Sequence, residues 1–274
     1  MNLAALVTAA EAAADAAGAA IRPWYRARLE AEAKSDLSPV TEADRAAERA
    51  MRALLGERFP EHGILGEEAG LIRPGARLRW VLDPIDGTRA FITGRPLFGT
   101  LVALMDGDEP LLGVLDQPIL GERWVGVRGQ PTRFRGAYGR AGFRPCPRLA
   151  DAELGCTTPS MFTDESGPAF ARLQDAVLRT TWGGDCYGYG LVALGMLDVV
   201  AEADLKVWDW AALVPIVEGA GGRMVGWDGE KLRPGGDGHA LAVGDPRLVD
   251  EAVALLAPRA GDSGRGTRPG PPGS

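Results

Sequence analysis

The segment from residue 80 to residue 88 constrains this chain more than any other, because an apolar, strand-like run passes directly into two carboxylates. Its sequence is WVLDPIDGT. Asp83 and Asp86 leave the strand on either side of a turn that Pro84 stiffens, so both side chains can point into one space. Like charges share a space only around cations, and a hard divalent metal suits carboxylate oxygens. The segment therefore predicts a metal site at the end of a strand.

The two residues after these carboxylates add a second expectation for the same corner. Gly87 and Thr88 are placed to begin a helix. The free N–H groups at a helix N-terminus bind phosphate, so this corner predicts a phosphate site beside the metal site. The ordinary alternative is an Asx turn followed by a helix cap. Both interpretations stay open on this segment alone.

Two further acidic segments occupy similar corners of the chain. Glu67 and Glu68 follow the apolar pair Ile64-Leu65, and Asp209 lies between a strand-like run and an apolar helix. Each has an ordinary alternative, since adjacent glutamates are usually solvated and an aspartate before a helix is usually its N-cap. Three carboxylate-bearing corners in one chain together favour a shared acidic site.

Secondary-structure signals differ between the two halves of the chain. Helical spacing of apolar residues predicts helices over residues 3–25 and 41–60. Residues 80–127 then carry short β-rich runs separated by turn residues, which is typical of an antiparallel meander. The later half alternates apolar helices and strands, as α/β proteins do.

The predicted domain organisation follows from this change of pattern. At 274 residues the chain is long enough for one large domain or two intimate ones. Glycines and prolines near the midpoint place the boundary between residues 1–135 and residues 136–258, and we expect the halves to share one body. Residues 259–274 are rich in glycine and proline and are predicted to be disordered.

Net charge and scarce residue types exclude several classes of function. A formal net charge of −7 would repel a phosphate backbone, so nucleic acid is not expected as a partner. Three cysteines without CxxC spacing exclude a disulfide framework, and two histidines leave little for a Ser-His-Asp triad. Glu11 and Asp15 interrupt the alanine-rich N-terminus, so we expect no signal peptide, no membrane span and a cytoplasmic protein.

The three acidic segments together resemble the inositol monophosphatase superfamily of metal-dependent phosphomonoesterases. Its marks are a GEE element, a DPxDGT segment and a late WDxAA segment, and all three occur here in that order, at residues 66–68, 83–88 and 208–212. The resemblance covers residues 1–256. It implies a layered αβαβα sandwich, with an antiparallel sheet in the N-terminal half and a mixed sheet in the C-terminal half. It also implies a homodimer.

Carried over by position, the resemblance implies a metal site made only of oxygen ligands. Oxygen ligands favour Mg²⁺ over zinc, and two or three such ions can activate water and stabilise the leaving oxygen of an in-line displacement. No phosphoenzyme is needed. The implied metal ligands are Glu67, Asp83, the Ile85 carbonyl, Asp86 and Asp209.

The resemblance also implies roles for the residues beside those ligands. Gly87 and Thr88 would supply backbone N–H groups to the phosphate, while Thr88 and Glu67 would orient the attacking water. Asp44 would be hydrogen-bonded to Thr88. The alternative for Asp44 is a capping box with Thr41 at the start of the second helix.

Two more residues match the family around the metal site. Glu68 matches a position near a weaker metal site. Lys34, in the loop before the second helix, matches a lysine near the metals. An ordinary solvated lysine is the alternative for Lys34.

The chain most resembles the bacterial histidinol-phosphatase branch of the superfamily, through the strings DGTRAFITG and WGGDCYGY. Glu202 matches the position that contacts the alcohol part of the substrate, and Asp185 lies in a loop that borders the same pocket. Two acids suit a cationic alcohol such as histidinol, which has an ammonium and an imidazole, whereas inositol offers only hydroxyls. Asp185 could instead cap the helix that follows it.

The sequence thus predicts a Mg²⁺-dependent phosphatase that hydrolyses L-histidinol phosphate to L-histidinol and phosphate in histidine synthesis. The alternatives are a phosphatase for inositol phosphates or related sugar phosphates and a non-catalytic interaction protein on the same fold. Haloacid-dehalogenase phosphatases carry DxDGT, which is one residue shorter than the spacing here. Gly188, Gly190 and Ala193 fit a dinucleotide GxGxxA pattern, but no β-rich run precedes them.

Overall fold

Helices and strands alternate along most of the chain in the computed structural model, which describes residues 2–27, 32–33, 39–40, 42–163 and 165–259. The α-helices within these ranges are α1 Leu3–Ile21, α2 Glu42–Arg58, α3 Thr88–Ile92, α4 Gly167–Ala176, α5 Asp185–Val192, α6 Val207–Trp210, α7 Leu213–Gly219 and α8 Val249–Leu256. The strands are β1 Glu32–Ala33, β2 Pro39–Val40, β3 Gly63–Gly66, β4 Gly70–Ile72, β5 Leu78–Asp86, β6 Gly99–Asp106, β7 Glu109–Gln117, β8 Glu122–Val127, β9 Arg133–Arg135, β10 Glu153–Cys156, β11 Arg179–Trp182, β12 Val199–Glu202, β13 Arg223–Val225 and β14 Ala240–Val243.

The N-terminal helix α1 is a core helix. Its length and composition would allow the stretch Leu3–Trp24 to cross a membrane, yet its alanine-rich face is buried beneath α2 and the first sheet. The helix stops at Ile21, earlier than predicted, because Pro23 lies in a 3₁₀ turn that interrupts the α-helical hydrogen bonds. The buried side chains of α1 are Leu6, Ala9, Ala10, Ala13, Ala14, Ala17 and Ile21.

The first large sheet has seven strands in the order β4-β3-β5-β6-β7-β8-β9. Every pairing is antiparallel except that of β3 with β5, which is parallel. The expectation of an antiparallel sheet in this half was therefore wrong at one pairing. The physical reason is the β3–β4 hairpin: the chain turns back through β4 at the sheet edge and re-enters on the other side of β3.

The second large sheet has five strands in the order β11-β10-β12-β14-β13 and is mixed, as predicted. Strand β10 pairs in parallel with β11 and β12, while β14 pairs antiparallel with β12 and β13. The sequence missed β11, because its residues 179–182 (RTTW) are mostly polar and lie at a sheet edge, without the apolar alternation of a buried strand.

Three apolar clusters define the layers. Helices α1 and α2 cover one face of the first sheet, α5, α6 and α7 fill the space between the sheets, and α4 and α8 cover the outer face of the second sheet. Strand β12 shows the alternation expected of a sheet buried on both faces, because Val200 points into the middle layer while Val199 and Ala201 point outward. The predicted αβαβα sandwich is confirmed.

Several predictions lie outside the described residues. These concern Lys34, the Thr41 cap and all of the predicted disordered tail except Arg259.

The division into units 1–135 and 136–258 stays a prediction, because the middle helical layer packs on both sheets and joins the two halves in one core.

Candidate active site

Three aspartates converge where the end of β5 meets α6. The carboxylate oxygens of Asp83, Asp86 and Asp209 lie within 4.8 Å of one another. Asp83 is buried, and the other two are partly buried. Because Asp209 comes from the other half of the chain, the fold completes the cluster that the DPxDGT segment begins.

A bulge in β5 directs its carboxylates out of the sheet. Asp83 pairs with Leu101 and Asp86 pairs with Gly99, so β5 contains one more residue than β6 between these pairs. Pro84 lies in this interval and has no N–H to donate to β6. A bulge of this kind bends a strand and re-aims its side chains. Here it brings two carboxylates three residues apart to the same end of the strand.

The bulge is stabilised by two buried hydrogen bonds. The Thr100 hydroxyl donates to the Pro84 carbonyl at 2.8 Å, and the Ile85 N–H donates to Asp83 Oδ1 at 3.0 Å. The second bond forms the Asx turn that was the ordinary alternative for this segment. A carboxylate accepts several hydrogen bonds or ligands, so the Asx turn and a cation can share Asp83.

Gly87 connects the bulge to α3, which begins at Thr88 as predicted. The φ angle of Gly87 is +88°, in the left-handed region that favours glycine. A Cβ atom at this position would lie 3.0 Å from the carboxyl carbon of Asp185 and 3.1 Å from the Leu97 carbonyl oxygen. Both the backbone conformation and the close packing therefore require glycine here.

The Thr88 side chain lies between β5 and α2. Its hydroxyl is 3.1 Å from the Ile85 carbonyl oxygen and 3.4 Å from Asp44 Oδ1. Asp44 is buried in the first turn of α2. The structure thus brings Asp44, Thr88 and the Ile85 carbonyl together, as the family resemblance implied.

Asp209 lies in α6, near the start of the middle helical layer. Its Oδ2 accepts the Lys206 backbone N–H at 2.7 Å. The N-cap of α6 is Lys206 and Asp209 is its third residue, so the N-cap alternative is wrong; the carboxylate instead accepts the N-cap N–H from inside the first turn, which leaves its other oxygen for a ligand. The single helix predicted after Asp209 is instead two short helices, α6 and α7.

The GEE segment forms the turn between β3 and β4. The Glu67 N–H donates to the Leu82 carbonyl at 3.2 Å, which ties the turn to β5. This bond places Glu67 beside the residue that precedes Asp83, and the charge of Glu67 raises the pKa values of both Asp83 and Asp209. Glu68 lies one residue further along the turn, where its N–H donates to the buried carboxylate of Glu48 at 2.7 Å.

Burial and mutual repulsion raise the pKa values of the clustered aspartates. Burial raises the pKa of Asp83 well above its usual range, and neighbouring carboxylates, first that of Glu67, raise it further. Burial and the charge of Asp209 raise the pKa of Asp86 to about 8. Burial also raises the pKa of Asp209 to about 7. Without a counter-charge, this cluster holds protons near neutral pH.

The donor chemistry of the cluster fits a hard divalent cation. Its side-chain donors are carboxylate oxygens, and Ile85 lies in the same bulge of β5, between Asp83 and Asp86. Buried carboxylates that repel one another are stabilised by a cation that replaces the lost water. In the described part of the chain, no other group of His, Cys, Asp or Glu brings three donor atoms this close together.

Asp185 borders the cluster from the first position of α5. Its N–H donates to Thr157 Oγ1 at 2.9 Å, and its φ angle is +44°. Burial, followed by the charges of Asp86 and Glu202, raises the pKa of Asp185 to about 8. The N-cap of α5 is Gly184 and Asp185 is the first residue of the helix, so the capping alternative is wrong.

Glu202, at the end of β12, lies across the same cavity. Its Oε1 accepts the Thr157 N–H at 2.8 Å, and its Oε2 accepts the Tyr189 hydroxyl at 3.0 Å. Burial raises the pKa of Glu202. The cavity between the acids has a volume of about 120 Å³, and its lining includes Asp86, Thr157, Asp185, Tyr189, Glu202 and Asp209.

A wider cleft opens beyond Asp185. It has a volume of about 330 Å³ and shares Asp185 and Thr157 with the acidic cavity. Trp182 lines it with 40 % of its surface exposed, and Arg89 and Arg95 line it as well. The two arginines lower the pKa of Asp185, against the larger effect of burial. The acidic cavity therefore has room beside it for the part of a ligand that carries no phosphate.

Sequence reasoning missed several residues that hold the site together. Thr157 and Tyr189 orient Glu202, and the Cys186 N–H donates to Asp86 Oδ2 at 2.5 Å. These contacts join separate parts of the chain, so no local sequence pattern could predict them. Glu48 had a usable signal, because it follows Asp44 by one helical turn and must lie on the same face of α2.

Comparison with known proteins places this site in a family. The sequence pattern of the inositol monophosphatase family matches residues 2–259. The chain belongs to the inositol monophosphatase family. Members of this family are metal-dependent. The family match and the similarity to histidinol-phosphatases show that this chain is a phosphoric monoester hydrolase. The superfamily resemblance found in the sequence is confirmed.

Individual members of the inositol monophosphatase family match over most of this chain. The chloroplast bifunctional phosphatase IMPL2 of Arabidopsis thaliana is 45 % identical over 254 residues, covering 89 % of this chain and 73 % of that protein. A histidinol-phosphatase of Streptomyces coelicolor is 37 % identical over 260 residues, covering 90 % and 94 %. The solved structure of an inositol monophosphatase from Zymomonas mobilis matches with a TM-score of 0.85 and 48 % identity, covering 93 % and 99 %.

Proposed function

We propose that this chain hydrolyses L-histidinol phosphate to L-histidinol and phosphate with the help of Mg²⁺. The observation that carries the choice of substrate is the acidic wall of the cavity. Asp185 and Glu202 face the same space as Asp86 and Asp209, so two carboxylates remain beyond the cluster that would hold the metals. A cationic alcohol would meet opposite charges there, whereas a neutral polyol would not.

The proposed metal site lies at the end of β5, where the carboxylates of Asp83, Asp86 and Asp209 converge. Two or three bound Mg²⁺ ions would stabilise the charge of the phosphate and leaving oxygens and would make the attacking water more acidic. Glu68 follows the ligand Glu67 in the chain. We propose that Glu68 and Lys34 lie near the metals without binding them directly. The proposed ligands are Glu67, Asp83, the Ile85 carbonyl, Asp86 and Asp209.

The chain's own residues would orient the phosphate and the water. Gly87 and Thr88 would donate backbone N–H groups to the phosphate at the start of α3. The Thr88 hydroxyl can donate to Asp44, which leaves its oxygen free to accept a hydrogen bond from the attacking water. Glu67 would receive the proton that this water loses. Attack of the water oxygen forms a P–O bond to phosphorus as the P–O bond to the alcohol breaks. The alcohol oxygen then takes a proton from a solvent water, and Glu67 returns its proton to the solvent.

Asp185 carries more of the proposed substrate recognition than Glu202. Both oxygens of Glu202 already accept hydrogen bonds, from Thr157 and Tyr189. The carboxylate of Asp185 has no such hydrogen-bond donor from the described residues, and its neighbours include Trp182 in the adjoining cleft. A cationic group placed here would favour the ionised carboxylate and oppose the effect of burial on its pKa.

Hydrolysis of inositol 1-phosphate is the second candidate function. It is favoured by the 48 % identity to the Zymomonas mobilis protein, which is described as an inositol monophosphatase. The residues proposed to bind the metals and the phosphate would act in the same way on either substrate. The acidic wall beside Asp185 favours histidinol phosphate.

The test is phosphate release from histidinol phosphate and inositol 1-phosphate, measured side by side with Mg²⁺ and with excess chelator. We expect a kcat/KM at least about tenfold higher for histidinol phosphate, and loss of both activities with chelator. Preference for inositol 1-phosphate would overturn the substrate assignment and keep the metal site. Activity that persists in chelator would overturn the role of the metal.

Two properties implied by the family complete the proposal. We propose a homodimer, for which sedimentation of the purified chain is the direct test. We also propose a cytoplasmic location, in keeping with three buried cysteines in the thiol form and a small-molecule phosphate ester as substrate.

A further inference from the structure

A buried glutamate of α2, Glu48, takes no part in the proposed metal or substrate contacts, although it lies directly behind them. Only 1 % of its surface is exposed. Its Oε2 accepts the Glu68 N–H at 2.7 Å, and its Oε1 accepts the Ala69 N–H at 3.0 Å. Its Oε1 also accepts Arg52 Nε at 2.6 Å. The carboxylate thus binds two consecutive N–H groups of the GEE turn.

The contact between Glu48 and the turn depends on Gly66. A Cβ atom at Gly66 would lie 2.1 Å from Glu48 Oε1 and 2.4 Å from its carboxyl carbon. No side chain larger than hydrogen fits without moving the carboxylate. Arg52 completes the arrangement, because it donates to the Gly70 carbonyl at the other end of the turn as well as to Glu48.

The β3–β4 hairpin lies at the exposed edge of the first sheet. Strand β4 is the edge of the sheet, it pairs only with β3, and all three of its residues are exposed. Exposed edge strands with little apolar burial open readily. The Glu67 N–H to Leu82 carbonyl bond and the hydrogen bonds to Glu48 and Arg52 fasten the turn of this hairpin to β5 and to α2.

Helix α2 also carries the other side of the site. Asp44 precedes Glu48 by four residues, so both carboxylates lie on one face of the helix. Asp44 reaches Thr88, while Glu48 reaches the turn that bears Glu67. The helix therefore sets the distance between the Glu67 turn and the Thr88 corner of β5.

We propose that Glu48 is a positioning residue that holds the Glu67 carboxylate against the aspartate cluster and thereby strengthens metal binding. The inference rests on the proposed function only in taking Glu67 as a metal ligand. Outer partners of metal ligands typically change metal affinity 10- to 100-fold when they are replaced. Glu48→Gln keeps the size of the side chain but turns an NH₂ group toward donors, so at least one bond to the turn is lost.

The experiment measures Mg²⁺ affinity of Glu48→Gln in two ways: by calorimetric titration with Mg²⁺ alone, and as the Mg²⁺ concentration that gives half-maximal phosphate release. We expect both to rise about 10- to 100-fold, with kcat at saturating Mg²⁺ and the KM for the ester changed less than about threefold. The matched control is Glu42→Gln, which alters an exposed ion pair with Arg49 on the same helix and should leave both values unchanged.

A double variant separates positioning from general stability. If Glu48 acts through Glu67, the double variant Glu48→Gln/Glu67→Gln should bind Mg²⁺ less than about threefold more weakly than Glu67→Gln alone. A full additive loss, or a folded Glu48→Gln protein with the Mg²⁺ affinity of the parent, would overturn the inference. If the parent itself binds no Mg²⁺, the proposed function fails instead.

Hydrogen exchange of the unaltered protein tests the contact without any substitution. The amides of Glu68 and Ala69 should exchange as slowly in chelator as the interior amides of α2, because a buried carboxylate accepts both. Exchange at the rate of an exposed turn would overturn the inference even if Glu48→Gln does not fold.

Discussion

Asp83, Asp86 and Thr88, at the end of the site that would hold the metals, come from one continuous segment. At the other end, which would hold the alcohol, each residue comes from a different element. Asp185 begins α5 and Glu202 ends β12. The metal end is therefore largely defined by a bulge and a turn. The alcohol end exists only because the start of α5 and the end of β12 meet.

This difference in construction predicts a difference in chemistry. In the proposed function, the metal end would bind the phosphate, which every phosphate ester shares, and a local segment can be kept while the rest of a pocket changes. The alcohol end would determine which ester fits, and its residues can change without disturbing the bulge in β5. Substitutions at the two ends should therefore separate activity from selectivity.

The largest effect is expected from Asp83→Asn, at the metal end. The change removes a ligand charge that is worth several kcal/mol, so kcat/KM should fall about 10³-fold or more for histidinol phosphate and inositol 1-phosphate alike. Steady-state kinetics with saturating Mg²⁺ measures this. Asp108→Asn, in the exposed β6–β7 turn, is the matched control. A loss confined to one ester would contradict the division between the two ends.

The pH dependence of stability should also expose the metal end. Because burial and repulsion raise the folded-state pKa of Asp86 from 3.8 to about 8, the folded protein holds a proton that the unfolded chain has released within that interval. Its free energy of unfolding must then fall as pH rises through the interval. In chelator we expect Tm to drop by about 5 °C or more between pH 5 and pH 8, at roughly 2–4 °C per kcal/mol.

Two comparisons sharpen this prediction. Saturating Mg²⁺ should remove most of the drop, because bound cations replace the missing counter-charge. Asp86→Asn should flatten the curve measured in chelator. A parent Tm that stays level or rises between pH 5 and pH 8 would show that the cluster is not under this electrostatic strain.

At the alcohol end, Asp185→Asn should alter selectivity and leave the chemistry intact. Loss of a charge-assisted hydrogen bond costs about 1.5–3 kcal/mol, so kcat/KM for histidinol phosphate should fall about 10- to 100-fold. The value for inositol 1-phosphate should change less than about threefold. Equal losses for both esters would assign Asp185 to the metal end instead.

The smallest effect is expected from Thr100→Val, behind the bulge. The change removes the donor to the buried Pro84 carbonyl, which costs about 1–3 kcal/mol of unfolding free energy in urea titrations. Because the bulge supports only the metal end, kcat/KM should fall by the same factor, less than about tenfold, for both esters. A change in their ratio would show that the bulge also shapes the alcohol end.

The two ends also differ in how far the sequence predicted them. The DPxDGT segment is local, so the strand, the turn and the helix start at Thr88 could all be predicted from neighbouring residues. Strand β11 could not, because an edge strand with polar residues has no apolar periodicity. The β3–β5 parallel pairing could not either, because it depends on the turn back through β4 at the sheet edge. Glu48, Thr157 and Tyr189 were missed since their partners lie far away in the chain.

The short motifs of the amino-acid sequence by themselves determined the acidic character of the site. The family resemblance that those motifs carry implied the layered fold class and an oxygen-only donor set. The tertiary structure alone decided that Asp209 completes the β5 cluster and that Thr157 and Tyr189 occupy both oxygens of Glu202. It also showed Glu48 bound to the Glu67 turn. These contacts depend on long-range packing, which no local pattern of residues contains.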